Sequence, residues 1–260
     1  MNGSGGGADR GVWAHWRFAV MALALAMLGV GFATLAGAVG SALFDAQSGA
    51  MEPGARAPGD IEALSAARMG AYFLAFQTSM VLATLFSAWG LRRAGLGVVL
   101  PMGWPPGGLP SMVLAVTGLL ALATAAGLAI YLIDKQALAA DLRPFAELAR
   151  SRNWWVLLLA AGIGAPIAEE LLFRGMLFSG LRRSPLAFSG AALVSTLFWT
   201  SLHATYSPYG LALLVLIGLY FCWLRETSGS LWPPIAAHAV YNSAIVLALA
   251  FSGSALERLA

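Results

Sequence analysis

Residues 154–181 read WWVLLLAAGIGAPIAEELLFRGMLFSGL, an apolar stretch long enough to cross a bilayer that nevertheless carries Glu169, Glu170 and Arg174. A charged side chain at mid-helix costs insertion about 2.5–3.5 kcal/mol on translocon scales, so this Glu-Glu-x-x-x-Arg marks a candidate site. Outward from it, further apolar runs cover 18–44, 69–89, 112–133, 186–202, 211–224 and 234–251. Most reach the ~20 residues of a spanning helix, and 186–202 and 211–224 are shorter. With 59% of its 260 residues hydrophobic and 10% charged, and a mean hydropathy of +0.77, the chain is far from the balance of a soluble domain. The expected architecture is an all-α polytopic transmembrane bundle of about seven spans, six at least and eight at most, with the charged site in an intramembrane cavity.

The basic excess comes from arginines scattered between the spans, with one lysine, and no basic patch interleaved with aromatics offers a nucleic-acid surface. Arg10 and Arg17, Arg92 and Arg93, Arg182 and Arg183, and Arg225 all fall on one side if the spans alternate. By the positive-inside rule that side and the N-terminus are cytoplasmic, as in a multi-pass protein of a bacterial plasma membrane. Cys222 is the sole cysteine, so no intrachain disulfide is available.

Four stretches organise the chain: a Gly-rich, disordered 1–10, N-terminal transmembrane helices and loops over 11–152, a catalytic transmembrane core over 153–253, and a tail over 254–260. The first apolar run exceeds the ~7–15 residues of a signal-peptide core and reads as an uncleaved helix. Between spans, Leu138, Leu142, Phe145 and Ala149 recur at helical spacing, predicting a short interfacial helix, and the prolines of 101–110 predict a rigid connection.

Within 154–181, Gly162, Gly164 and Pro166 stand just before the carboxylates, where proline removes a donor and bends or restarts the helix. If Pro166 opens a second half-helix, Glu169 and Glu170 lie in its first turn, favoured by the macrodipole. Glu170 and Arg174 are four apart, acid first, the favourable orientation for an ion pair. Glu169 lies about 100° around the helix from Glu170 and is left free for chemistry. Of the three histidines, His15 sits among Trp13, Trp16 and Arg17 as an interfacial anchor. His203 closes the run 186–202, and His238 stands one turn before Asn242 on a shared face of the last run.

These motifs resemble those of the CPBP intramembrane proteases, which include the Rce1-type CAAX prenyl endopeptidases and bacterial Abi proteins. That family carries Glu-Glu-x-x-x-Arg, Phe-x-x-x-His and His-x-x-x-Asn/Asp on separate helices. Here Glu169, Glu170 and Arg174, then His203, then His238 and Asn242 match in that order, over roughly 154–251. One departure is visible: Trp199 stands where the family has phenylalanine, keeping an aromatic four residues before His203. The resemblance implies that Glu169 and His203 activate the attacking water, that His238 and Asn242 stabilise the oxyanion, and that the site opens to the cytosol. Its partners would be membrane lipids and a peptide or protein substrate near the membrane, prenylated in the CAAX case, with no nucleic acid.

Peptide hydrolysis needs a base for water and donors for the oxyanion, which a buried carboxylate with a neutral histidine and a second His/Asn pair can supply. Zinc is the rival scheme, since Glu169, His203 and His238 amount to a His₂Glu set with one open position, although no His-Glu-x-x-His stands on one helix. A non-catalytic scaffold or bacteriocin-immunity-type protein would keep the same residues as a helix lock, and a proton-coupled transporter would use them as a relay. Depth poses a problem for any shared site. At 1.5 Å per residue, upright helices put His203 roughly 20 Å from its cytoplasmic end and His238 about 6–8 Å from its own, so strong tilts, short spans or a deep cavity are expected.

Overall fold

A computed structural model describes residues 8–48, 58–93 and 100–251. Among them are seven helical rods and no strand: α1 (Ala8–Ser48), α2 (Pro58–Arg93), α3 (Gly108–Arg150), α4 (Trp154–Leu181), α5 (Ala187–Ser201), α6 (Pro208–Ser228) and α7 (Trp232–Phe251). All but α5 are long and apolar enough to cross a membrane. The chain is an all-α, multi-pass membrane bundle, with six such rods and one 15-residue helix where seven spans were expected. Residues 8–10, expected to be disordered, are already in α1. Residues 1–7 and the tail 254–260 lie outside the described residues, as does the side chain of His15.

Small residues set the helix spacing, as they do where lipid removes any hydrophobic drive between helices. Along α1, Ala19, Ala22, Ala26 and Ala33 are buried at helical spacing, while Val20, Leu28, Phe32 and Leu35 of the same helix face outward. At the other end of α4, Gly180 lies so close to α1 that a Cβ there would collide with Ala22. The core then runs through Leu172, Phe173, Met176 and Leu177 of α4 to Phe221 and Cys222 of α6.

The predicted helix over Leu138–Ala149 is present but continuous with α3, across a kink at Asp134 (φ −154°, ψ 85°). Asp134 Oδ1 accepts the backbone N–H of Ala137 at 3.0 Å and so restarts the helix. Its apolar side is not left to the interface: Ala146 and Ala149 pack on Leu157 of α4 and on Val246 and Leu249 of α7. The proline-rich connection is likewise pinned, because Leu231 N and Trp232 Nε1 donate to Pro101 O and Met102 O at 2.9 Å, and Ser230 Oγ donates to Gly103 O at 2.6 Å. That tight turn between α6 and α7 uses Gly229 at φ 64°, a left-handed cap that a side chain would strain.

Because Gly180 has no room for even one methyl group, Gly180→Val forces α1 away from α4. The expected loss is about 1–3 kcal/mol, read as a lowered unfolding temperature of the detergent-solubilised protein.

Candidate active site

Proline 166 shapes the backbone on which the site is built. The turn over Leu158–Gly164 is a π-turn, in which Ala165 N donates to Ala160 O, five residues back. The next carbonyl in that register, Ala161 O, would wait for the N–H of residue 166, which proline lacks. Asn242 Nδ2 of α7 supplies it at 2.9 Å, Ser243 Oγ donates to Gly162 O at 3.3 Å, and Gln77 Nε2 of α2 donates to Ala160 O at 2.8 Å. Side chains at 162 and 164 would collide with Ser243 and Gln77, so both glycines are needed for these donors to reach the main chain. Irregular backbone at membrane depth is tolerated because neighbouring helices satisfy it.

Below the break, a second π-turn over Glu170–Leu177 carries the charges. Arg174 Nη1 donates to Glu170 Oε1 at 2.9 Å, and both side chains have no solvent exposure. Arg174 Nη2 donates to Gly218 O of α6 at 3.3 Å, an approach that a Cβ at 218 would crowd. The guanidinium lies over the rings of Trp199 and Phe221, 4.7 and 5.0 Å from their centroids. Glu170 Oε1 also accepts from His238 Nδ1 at 3.0 Å, and the His238 ring stacks on Phe221 at 4.8 Å. Glu170, Arg174 and His238 therefore form one dry cluster.

Glu169 and His203 are different: both are half-buried. Glu169 Oε2 accepts the indole N–H of Trp199 at 2.6 Å. The ring of His203 lies 5.1 Å from that indole, and its Nδ1 bonds the main-chain carbonyl of Trp199 at 3.1 Å. Since a carbonyl only accepts, Nδ1 carries the proton, and in the neutral ring Nε2 keeps its lone pair. The turn bearing His203 is tethered to α3, with Ser207 N and Oγ donating to the two oxygens of Asp141 at 2.6 and 2.8 Å. Tyr206, 5.8 Å from the His203 ring, has its phenol pushed up to about 12 by burial, with Asp141, Tyr241 and Glu169 adding to the shift. It stays a protonated donor at physiological pH.

The depth problem is resolved by the shortness of α5. Its end stops beside the middle of α4, so one indole is flanked by both imidazoles, that of His238 at 5.8 Å. The pairings differ from the sequence expectation in three places. Glu169 is not without a partner, because Trp199 donates to it; His238 pairs with Glu170; and the Asn242 amide holds Ala161 O. Trp199 was legible only as an aromatic near His203, Asp141 only as the polar side of a helix, and Gly218 not at all.

A zinc ion shared by Glu169, His203 and His238 does not fit this arrangement. Among the described residues no three His, Cys, Asp or Glu side chains converge as ligands do, Glu169 Oε2 is taken by the Trp199 indole, and His238 Nδ1 is already on Glu170.

Residues 151–244, which hold every motif residue above, match the model of the family described as Type II CAAX prenyl endopeptidase Rce1-like. The Bacillus subtilis (strain 168) protein named "Putative membrane peptidase YdiL" is 29% identical over 92 residues, 35% of this chain and 36% of that protein. The match thus spans about a third of the length of that relative. No solved structure matches. The two matches bear out the resemblance to CPBP intramembrane proteases drawn from the motifs.

Removing Glu170 would leave the Arg174 charge buried and unpaired. Glu170→Ala is expected to lose about 3–5 kcal/mol, measured as unfolding in detergent, against a smaller loss for Glu170→Gln, which keeps an acceptor.

Proposed function

We propose that this chain is an intramembrane endopeptidase that hydrolyses a peptide bond of a substrate held near the membrane surface. The observation that carries this reading is the split between a buried, mutually bonded Glu170, Arg174 and His238 and a half-buried Glu169 and His203, joined through one tryptophan. A network that served only to lock helices would gain nothing by leaving its second carboxylate open.

In the proposed reaction, Glu169 takes a proton from a water whose other hydrogen is accepted by His203 Nε2. The water oxygen bonds to the carbonyl carbon, and charge develops on the carbonyl oxygen. His238, held through Nδ1 on Glu170, turns Nε2 to that oxyanion, and Asn242 donates with the amide hydrogen not used by Ala161 O. The carbon–nitrogen bond then breaks, and the proton held by Glu169 passes to the leaving amine, restoring the carboxylate. The family description and the position of the motifs favour a CAAX-type, prenylated peptide, with the N-terminus and the entrance to the site in the cytoplasm of a bacterial cell.

Glu169→Gln and His203→Ala, purified and reconstituted separately, test this in a proteoliposome assay with a quenched, C-terminally prenylated peptide. Each should lower kcat by about 10²–10⁴ while the protein stays folded. Retained turnover in both variants defeats the proposal, as does loss of folding with no catalytic defect in the folded fraction.

A further inference from the structure

We propose that Trp199 is a positioning residue that holds the Glu169 carboxylate for its proton transfer, through an indole hydrogen bond that phenylalanine at the same place in the Phe-x-x-x-His motif cannot make. This rests on the catalytic reading of Glu169 given above. Indole nitrogen is a donor only, so the 2.6 Å contact has one direction: Trp199 Nε1–H to Glu169 Oε2. A charge-assisted bond of this length fixes one carboxylate oxygen and leaves the other for water.

The ring itself has little freedom. Trp199 is 2% exposed, with the Arg174 guanidinium over its face and the rings of His203, His238 and Phe221 within 5.1, 5.8 and 6.1 Å. A cation over the indole face draws electron density from the ring and makes its N–H a stronger donor. The buried ion pair therefore reaches the exposed carboxylate through Trp199, although Arg174 and Glu169 share no direct bond among the described residues. The same residue orients His203 through its main-chain carbonyl, so one position sets the geometry of both groups assigned to the water.

Trp199→Phe keeps an aromatic ring in the core and removes the donor together with part of the ring's volume, so some loss of stability accompanies it. In proteoliposomes it should lower kcat of the folded protein about 10- to 100-fold, with KM changed by less than about twofold. Unchanged kcat in Trp199→Phe, in preparations where Glu169→Gln is inactive, overturns the assignment. So does a fall confined to stability and KM. Ultraviolet resonance Raman spectra of the unaltered protein and of Glu169→Gln give a readout independent of turnover and of whether Trp199→Phe folds. The difference spectrum should show one indole losing a strong hydrogen bond, and its absence overturns the proposal. If Glu169→Gln keeps full turnover while the Raman difference is present, the endopeptidase reading fails and the Trp199–Glu169 bond stands as a structural one.

Discussion

The guanidinium of Arg174, wholly removed from solvent, dictates what four helices must place around it. From its own helix it draws the charge of Glu170, from α6 the carbonyl of Gly218 and the face of Phe221, and from α5 the face of Trp199. His238 of α7 completes the set through the shared Glu170 oxygen. In a low-dielectric interior such a charge is costly unless it is paired, and these contacts answer it at Nη1, Nη2 and the two ring faces, while Nε has no partner among the described residues.

That arrangement divides the polar residues by burial. Glu170 and His238, bonded to each other beside the guanidinium, are buried; Glu169 and His203, one indole further out, are half-buried. Two neighbouring carboxylates thus acquire unlike surroundings from position alone, the general way in which paired acids come to differ.

The spans and the Glu170–Arg174 pair were readable because both follow from a single helix: lipid exposure demands long apolar runs, and spacing of four residues puts two side chains on one face. The partners across helices were less readable. A sequence records that residue 199 is aromatic but not where its N–H points, and spacing places Asn242 beside His238 without revealing that a π-turn in α4 leaves Ala161 O in need of a donor. The lock of Asp141 on Ser207 joins residues far apart in the chain, and Gly218 carries no side chain to announce its contact. What periodicity misses in each case is a hydrogen bond to the main chain or an approach to a neighbour that depends on tertiary placement.

Proline at 166 gives the break in α4 a consequence for how the sequence can drift. Its missing donor is made good by Asn242 and Ser243 on α7, and Gln77 on α2 adds a bond at the neighbouring carbonyl, with Gly162 and Gly164 leaving the space for Ser243 and Gln77. These six positions on three helices meet at one break. Removing the Asn242 amide would strand Ala161 O in hydrocarbon, whereas Ala160 O keeps the Ala165 N–H when Gln77 is lost. A histidine motif on the last helix and a proline more than seventy residues earlier are thus joined by one repair of the main chain.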